Sequence, residues 1–202
     1  MPASDTLPKE FYLRPDVVQI ARELVGMVLC TRLDGEALTS GLIVETEAYS
    51  GRNDKACHAN DGKRTRRTEV MYHDGGVAYV YLCYGIHHLF NVVTNGSGLA
   101  DAVLIRAVKP LDGIETILDR RGAPELEPPV AAGPGRLSEA LGITTDLYGT
   151  DLTGDRIWIE DRGVAPGDSE IAAGPRIGVG YAGAHAQREW RFTIRDHPWT
   201  SA

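Results

Sequence analysis

Cysteine is scarce. The 202-residue chain has three, Cys30, Cys57 and Cys83. So small and odd a number argues against a disulfide framework and for a reducing compartment. Long apolar runs are missing too: none approaches the roughly 20 residues that cross a bilayer. The opening MPASDTLPKEF lacks the basic-then-apolar pattern of a secretion signal. The expectation is a cytoplasmic protein with no membrane association. Metal-ligand spacing is also absent, with no C-x-x-C or H-x-x-x-H among the three Cys and six His. Cys57-His58 and His87-His88 are adjacent pairs, whose side chains would point apart on a strand. Neither a metal nor a cofactor is expected. No G-x-S-x-G elbow supports a nucleophilic serine. The glycines of 174–180 read more simply as a strand in close backbone approach than as a phosphate loop.

Basic charge is in the minority, and the net charge of −7 speaks against a broad nucleic-acid footprint. Its distribution is uneven. Arg52, Lys55, Lys63, Arg64, Arg66 and Arg67 face only Asp54 and Asp61 within sixteen residues. That local excess permits a small phosphate footprint.

The length suits one domain with a substantial core. Val17, Ile20, Ala21 and Leu24 follow helical spacing within Pro15–Leu24, and Gly26 lies where a C-terminal cap would be. A strand from Met27 to Leu33, the Asp34-Gly35 turn and a second strand from about Leu38 into Tyr49 make a hairpin. Residues 50–69 are polar and aperiodic, a long loop that is either functional or disordered. Val77–Tyr84, His88–Thr94 and Ala102–Val108 read as three strands of an antiparallel meander. Helices are expected over Asp112–Arg121 and Gly135–Leu141. Further strands are expected over Arg156–Glu160, Arg176–Tyr181 and Arg191–Arg195. The fold class is α+β: one mixed domain over 1–202, built on an antiparallel sheet with flanking helices, with residues 1–9 a flexible N-terminus.

Chemistry gathers at VETEAY, residues 44–49. On an extended strand Glu45, Glu47 and Tyr49 share one face, so two like charges stand side by side. Periodicity does not say which acid works. Tyr79, Tyr81 and Tyr84 cluster on the next aromatic strand. Any one could simply fill a core, but four tyrosines beside two acids and a basic loop provide π-faces for a nucleobase and cations for phosphate. Asn91 and Arg106 interrupt apolar strands, each as a structural bonder or a ligand reader.

Together VETEAY, His58, YVYLCYG with Asn91 behind it, VLIRAVKP, GPGRL, GPRIGVGYAG and the closing Arg195-x-x-Pro198-Trp199 resemble the alkyladenine (3-methyladenine) DNA glycosylase family. The matching blocks run from about Phe11 to Trp199, and their order is specific where no single block is. The resemblance implies a curved antiparallel sheet and a monofunctional hydrolase, without lyase activity, that starts base excision repair. It would flip alkylated purines, and hypoxanthine in many members, out of duplex DNA. By motif position Glu47 is implied as general base for water, and Arg106 as a holder of that water. Tyr49, His58 and Tyr81 are implied to line the base pocket, and Asn91 to screen against guanine. Tyr84 is implied as the wedge that fills the gap in the duplex. Arg64, Arg66 and Arg67 would meet the DNA backbone. The partner implied is double-stranded DNA with damaged purines, met by a bacterial-type monomer acting on chromosomal DNA. Two other classes fit the residues: a noncatalytic nucleic-acid binding module, and a hydrolase of free nucleosides for which the basic loop would be idle.

Overall fold

Alternating side chains give the central strands two differently buried faces. In this computed structural model, residues 5–33, 35–164 and 166–201 are described, so Asp34 of the expected turn lies outside the described residues. Eight strands form one antiparallel sheet: β1 (Val28–Thr31), β2 (Thr39–Tyr49), β3 (Ala78–Cys83), β4 (His87–Thr94), β5 (Asp101–Pro110), β6 (Ile157–Glu160), β7 (Ile171–Gly174) and β8 (Arg191–Ile194). Their order is β3-β4-β5-β2-β1-β6, while β8 pairs with the far half of β2 and β7 pairs with β8. The expected meander is β3-β4-β5. The class is α+β, with α1 (Lys9–Tyr12), α2 (Val17–Glu23), α3 (Ile114–Arg121) and α4 (Pro134–Ala140) beside the sheet.

One sheet face carries the main core: Val44, Ala48, Ala78, Val80, Phe90, Val92, Val103 and Ile105, packed with Ile20, Leu24, Leu137 and Leu141. The helical spacing read at 17–24 thus points its apolar stripe at the sheet. Asp16 caps α2 by accepting from the Val18 and Gln19 amides, both at 3.0 Å, an interaction of about 0.5–2 kcal/mol. None of the helices among the described residues is long and apolar enough to cross a membrane.

The other face holds a smaller cluster in which Cys57, Ala59, Val70 and Met71 pack on Tyr79, Val93 and Ala102. These come from the polar stretch 50–69 and the turn after it, so this loop is a lid tied to the sheet. Gly51 is required at its start, since a Cβ there would sit 2.6 Å from the Leu99 carbonyl oxygen. Its N–H donates to Asp101 Oδ1 at 3.0 Å.

An irregularity in β2 and β5 decides which side chains enter this second face. Ile43 pairs with Val108 and Glu45 with Ala107, but Thr46 pairs with Ile105, so Val44 and Arg106 are passed over. Ile43 and Val44 both join the main core, and beyond them Thr46 keeps to that side, its hydroxyl donating to the Ala21 carbonyl. Glu45, Glu47 and Tyr49 are left to the opposite face. Bulges re-aim side chains in this way beside functional sites.

One expectation needs correction. Arg176–Tyr181 is not a strand: Gly178 has φ 75° and Gly183 φ 59°, and residues 180–187 form short 3-10 turns. The strand in this region is β7, whose sequence IAAG has a single β-branched residue to betray it. Of the segment 1–9, residues 1–4 lie outside the described residues, while Leu7 is buried and its amide donates to the Ile159 carbonyl at 2.8 Å.

Candidate active site

Strand register draws one line of residues across the second face. Tyr79 stands opposite Asn91, Asn91 opposite Leu104, Leu104 opposite Glu47, and Glu47 opposite Arg191. Beside this line lies a cavity of about 430 Å³ whose lining includes Tyr49, His58, Tyr81, Asn91, Arg106 and Ile177. Tyr49, His58, Tyr81, Asn91 and Arg106, picked from sequence for different reasons, therefore converge.

The two carboxylates are treated differently. Glu45 is fully buried and accepts from Arg106 Nε (2.9 Å), Arg191 Nε (2.6 Å), the Ser201 amide (2.6 Å) and Ser201 Oγ (2.9 Å). A carboxylate has roughly four lone-pair sites over its two oxygens. Three of these donors meet Oε1 and one meets Oε2, so Glu45 is held at both oxygens, and all but Arg106 lie outside the cavity lining. Glu47 is equally buried but less engaged. Its Oε1 accepts from the Ile177 amide at 2.7 Å and lies 3.4 Å from Arg106 Nη1, and its Oε2 accepts from the Tyr49 hydroxyl at 2.6 Å. All three of these neighbours line the cavity, and by the same count Oε2 has room for one more donor. With Arg106 and Arg191 the two acids make a cluster of zero formal charge, which relieves the penalty of burying either alone.

Proton positions around the cavity follow from burial. Burial first, and then the Glu47 charge, pushes the Tyr49 hydroxyl well above its ordinary range. It therefore stays protonated and donates. Burial, with Arg67 and Lys63 nearby, lowers the His58 pKa to about 4. The imidazole is neutral at pH 7. Its Nδ1 lies 2.9 Å from the Tyr79 hydroxyl, and its ring meets Tyr81 edge-on at 4.8 Å. Asn91 spends its amide nitrogen on the Tyr79 and Leu89 carbonyls, at 3.1 and 3.4 Å. That leaves its carbonyl oxygen as the available polar atom.

The hairpin between β3 and β4 projects apolar side chains at the mouth of the cavity. Tyr84 is 93% exposed and sits at φ 51°, with Gly85 following at φ 74°. A bulky residue in the left-handed region costs roughly 1–2 kcal/mol. Leu82 and Ile86 flank it, also exposed. His87 is exposed with its ring packed over Gly135, and His88 is half-buried.

The basic loop is less free than its sequence suggests. Arg52 is paired to Asp101 at 2.6 Å, and Arg64 grips Glu69 through Nε and Nη2, at 2.8 and 2.6 Å. Arg66 and Arg67 are exposed, and the Arg67 guanidinium lies 5.8 Å from the Tyr81 ring centre. Sequence reasoning missed Ile177, Arg191 and Ser201. Their partners are 130 to 156 residues away, beyond any local pattern. The run GVGYAG spells G-x-G-x-x-G, but it lies in 3-10 turns and opens no α-helix, so its spacing carries no dinucleotide site.

The family described as Methylpurine-DNA glycosylase (MPG) matches residues 10–198. Relatives from Chlamydia felis, Bacillus cereus strain G9842 and Methanocella arvoryzae each bear the name "Putative 3-methyladenine DNA glycosylase". The first is 42% identical over 189 residues, covering 93% of this chain and 95% of the relative. The second is 43% identical, covering 96% and 98%. The third is 43% identical, covering 96% and 95%.

Proposed function

Since the chain belongs to the methylpurine-DNA glycosylase family, we propose that it excises alkylated purines from duplex DNA by hydrolysis at Glu47. One observation carries the reading: a fully buried carboxylate whose three neighbours all line an aromatic cavity beneath an exposed, left-handed tyrosine. A base in a duplex cannot be reached by a catalyst, so it must rotate out, at a cost of a few kcal/mol. Tyr84 offsets that cost by occupying the gap. The purine enters between Tyr49, His58 and Tyr81, where one aromatic contact contributes about 1–3 kcal/mol. Asn91, pinned by its amide nitrogen, excludes guanine's exocyclic amine by bulk, since its free carbonyl oxygen is an acceptor that does not repel an amine donor.

Glu47 accepts a proton from water at the free position of Oε2 as that water attacks the sugar carbon. Its negative charge also stabilises the oxocarbenium-like state. Arg106, anchored by Glu45, holds the water and the carboxylate in register. An alkylated purine is cationic and departs as a neutral base. Hypoxanthine needs a proton to leave as easily, yet no Asp or Glu lines the cavity among the described residues. The neutral His58 and the tyrosines are poor acids at pH 7, so the reading favours cationic lesions. No lysine lines the cavity either, so no Schiff base forms and lyase activity is not expected. Exposed Arg66 and Arg67, with Arg64 once freed from Glu69, meet the DNA backbone. The protein acts as a monomer without a cofactor.

The test is incubation with defined duplexes, each carrying one modified purine, followed by strand cleavage at abasic sites. Glu47→Gln should bind the lesion duplex nearly as well as wild type and release no base. Release at near wild-type rate by that variant would overturn the assignment.

A further inference from the structure

Behind the cavity wall lies a second buried ion pair that the chemistry above does not use. Arg176 and Asp54 have fully buried side chains and meet through two hydrogen bonds, Nη1 to Oδ2 at 2.5 Å and Nη2 to Oδ1 at 2.7 Å. Neither lines the cavity, and neither is among the direct hydrogen-bond partners of Glu47. The pair spans 122 residues, from the lid after β2 to the turn after β7.

What this pair touches is specific. Arg176 Nη1 also donates to the Ala48 carbonyl at 2.8 Å, between Glu47 and Tyr49 on β2. Its Nη2 donates to the His185 carbonyl at 3.2 Å. The guanidinium plane lies over the Tyr49 ring at 4.7 Å and near the Trp190 ring at 5.2 Å. The next residue along the chain is Ile177, whose amide holds Glu47 Oε1. One cation thus reaches both hydrogen-bond donors of Glu47: the phenol through its ring, the amide through its backbone.

We infer that Arg176, locked by Asp54, is a positioning residue that fixes the orientation of the Glu47 carboxylate by holding Tyr49 and the Ile177 amide in place. The pair is formally neutral, so its effect is geometric rather than a change in local charge. Only arginine fits the role: the fork meets Asp54 while the flat face stacks on Tyr49, and lysine offers neither. The inference rests on Glu47 as the working acid.

The experiment is single-turnover base release at saturating enzyme from a duplex carrying one 7-methylguanine, beside binding to a duplex with an abasic analogue. At saturation the rate constant does not depend on the folded fraction, so a merely structural residue leaves it unmoved. Arg176→Met should lower that constant about 10- to 100-fold, the scale of a small misplacement of a reacting group. Binding should stay within threefold. Arg176→Lys, which keeps charge and stem, should fall between and carries the test if the methionine variant does not fold. A rate constant within threefold of wild type in the folded variant, or a loss of binding equal to the loss of rate, would overturn the inference. Wild type and Glu47→Gln run alongside: a wild type that releases no base, or a Glu47→Gln that does, refutes the functional reading instead.

Discussion

Replacing Tyr84 by glycine separates what the side chain does for the fold from what it does for DNA. The ring is 93% exposed, so removing it forfeits almost no buried area. The backbone sits at φ 51°, and releasing a bulky residue from that region returns roughly 1–2 kcal/mol. Against this, glycine makes the unfolded chain more flexible, costing about 0.5–1 kcal/mol. The balance is about 0–1.5 kcal/mol in favour of the variant. At roughly 2–4 °C per kcal/mol for a chain of this size, the melting temperature should hold or rise by up to about 6 °C. Capture of a flipped base should suffer, by the roughly 1–3 kcal/mol of a lost aromatic contact. At about 1.4 kcal/mol per decade that is roughly a 5- to 150-fold lower single-turnover rate at subsaturating enzyme. The loss should be greatest for a lesion paired in a stable duplex and small for one opposite a gap or mismatch. A thermal melt and base release on matched and mismatched duplexes decide it. A melting temperature several degrees lower, or equal losses on both duplexes, would refute the reasoning.

The titration of His58 has a definite sign. The folded imidazole protonates near pH 4, while the unfolded one does so near its ordinary 6.5. Between those values the unfolded state binds more protons, so stability falls as pH is lowered through that window. His58→Gln should flatten that part of the fall, measured by urea unfolding at pH 7 and pH 5; an unchanged difference would show that His58 is solvated. For the basic loop, Arg66→Ala should reduce the slope of log affinity against log salt by about 0.9. Arg64→Ala should reduce it by less, because Glu69 already occupies Arg64. Equal reductions would mean that DNA displaces Glu69 without cost.

Much of the sheet was legible because its strands are local and patterned. The aromatic run at 77–84 and the apolar runs at 88–94 and 102–108 became β3, β4 and β5 with only small shifts at their ends. Two-residue periodicity also put Glu45, Glu47 and Tyr49 on one face correctly, although the bulge that sends them there is invisible in a linear pattern. The stretch Arg176–Tyr181 was misread because valine and isoleucine suggested a strand, whereas positive φ at Gly178 breaks it. The motif resemblance singled out Glu47, but the physical difference between it and Glu45 was not legible, for a different reason. It depends on Arg191, Ser201 and Ile177, which sequence distance separates from the acids and only the folded sheet brings back.

The Glu45 cluster has a consequence for the order in which the protein can be made. Ser201 supplies two of the four donors, 156 residues downstream of the acid they satisfy. At about 5–20 residues per second, a ribosome needs roughly 8–30 s to add that much chain. Until then the middle of β2 carries a carboxylate paired to Arg106 but short of the two Ser201 donors. A half-synthesised chain therefore lacks two of the Glu45 donors, and the Glu47 carboxylate beside it gains its full surroundings only as synthesis nears residue 201.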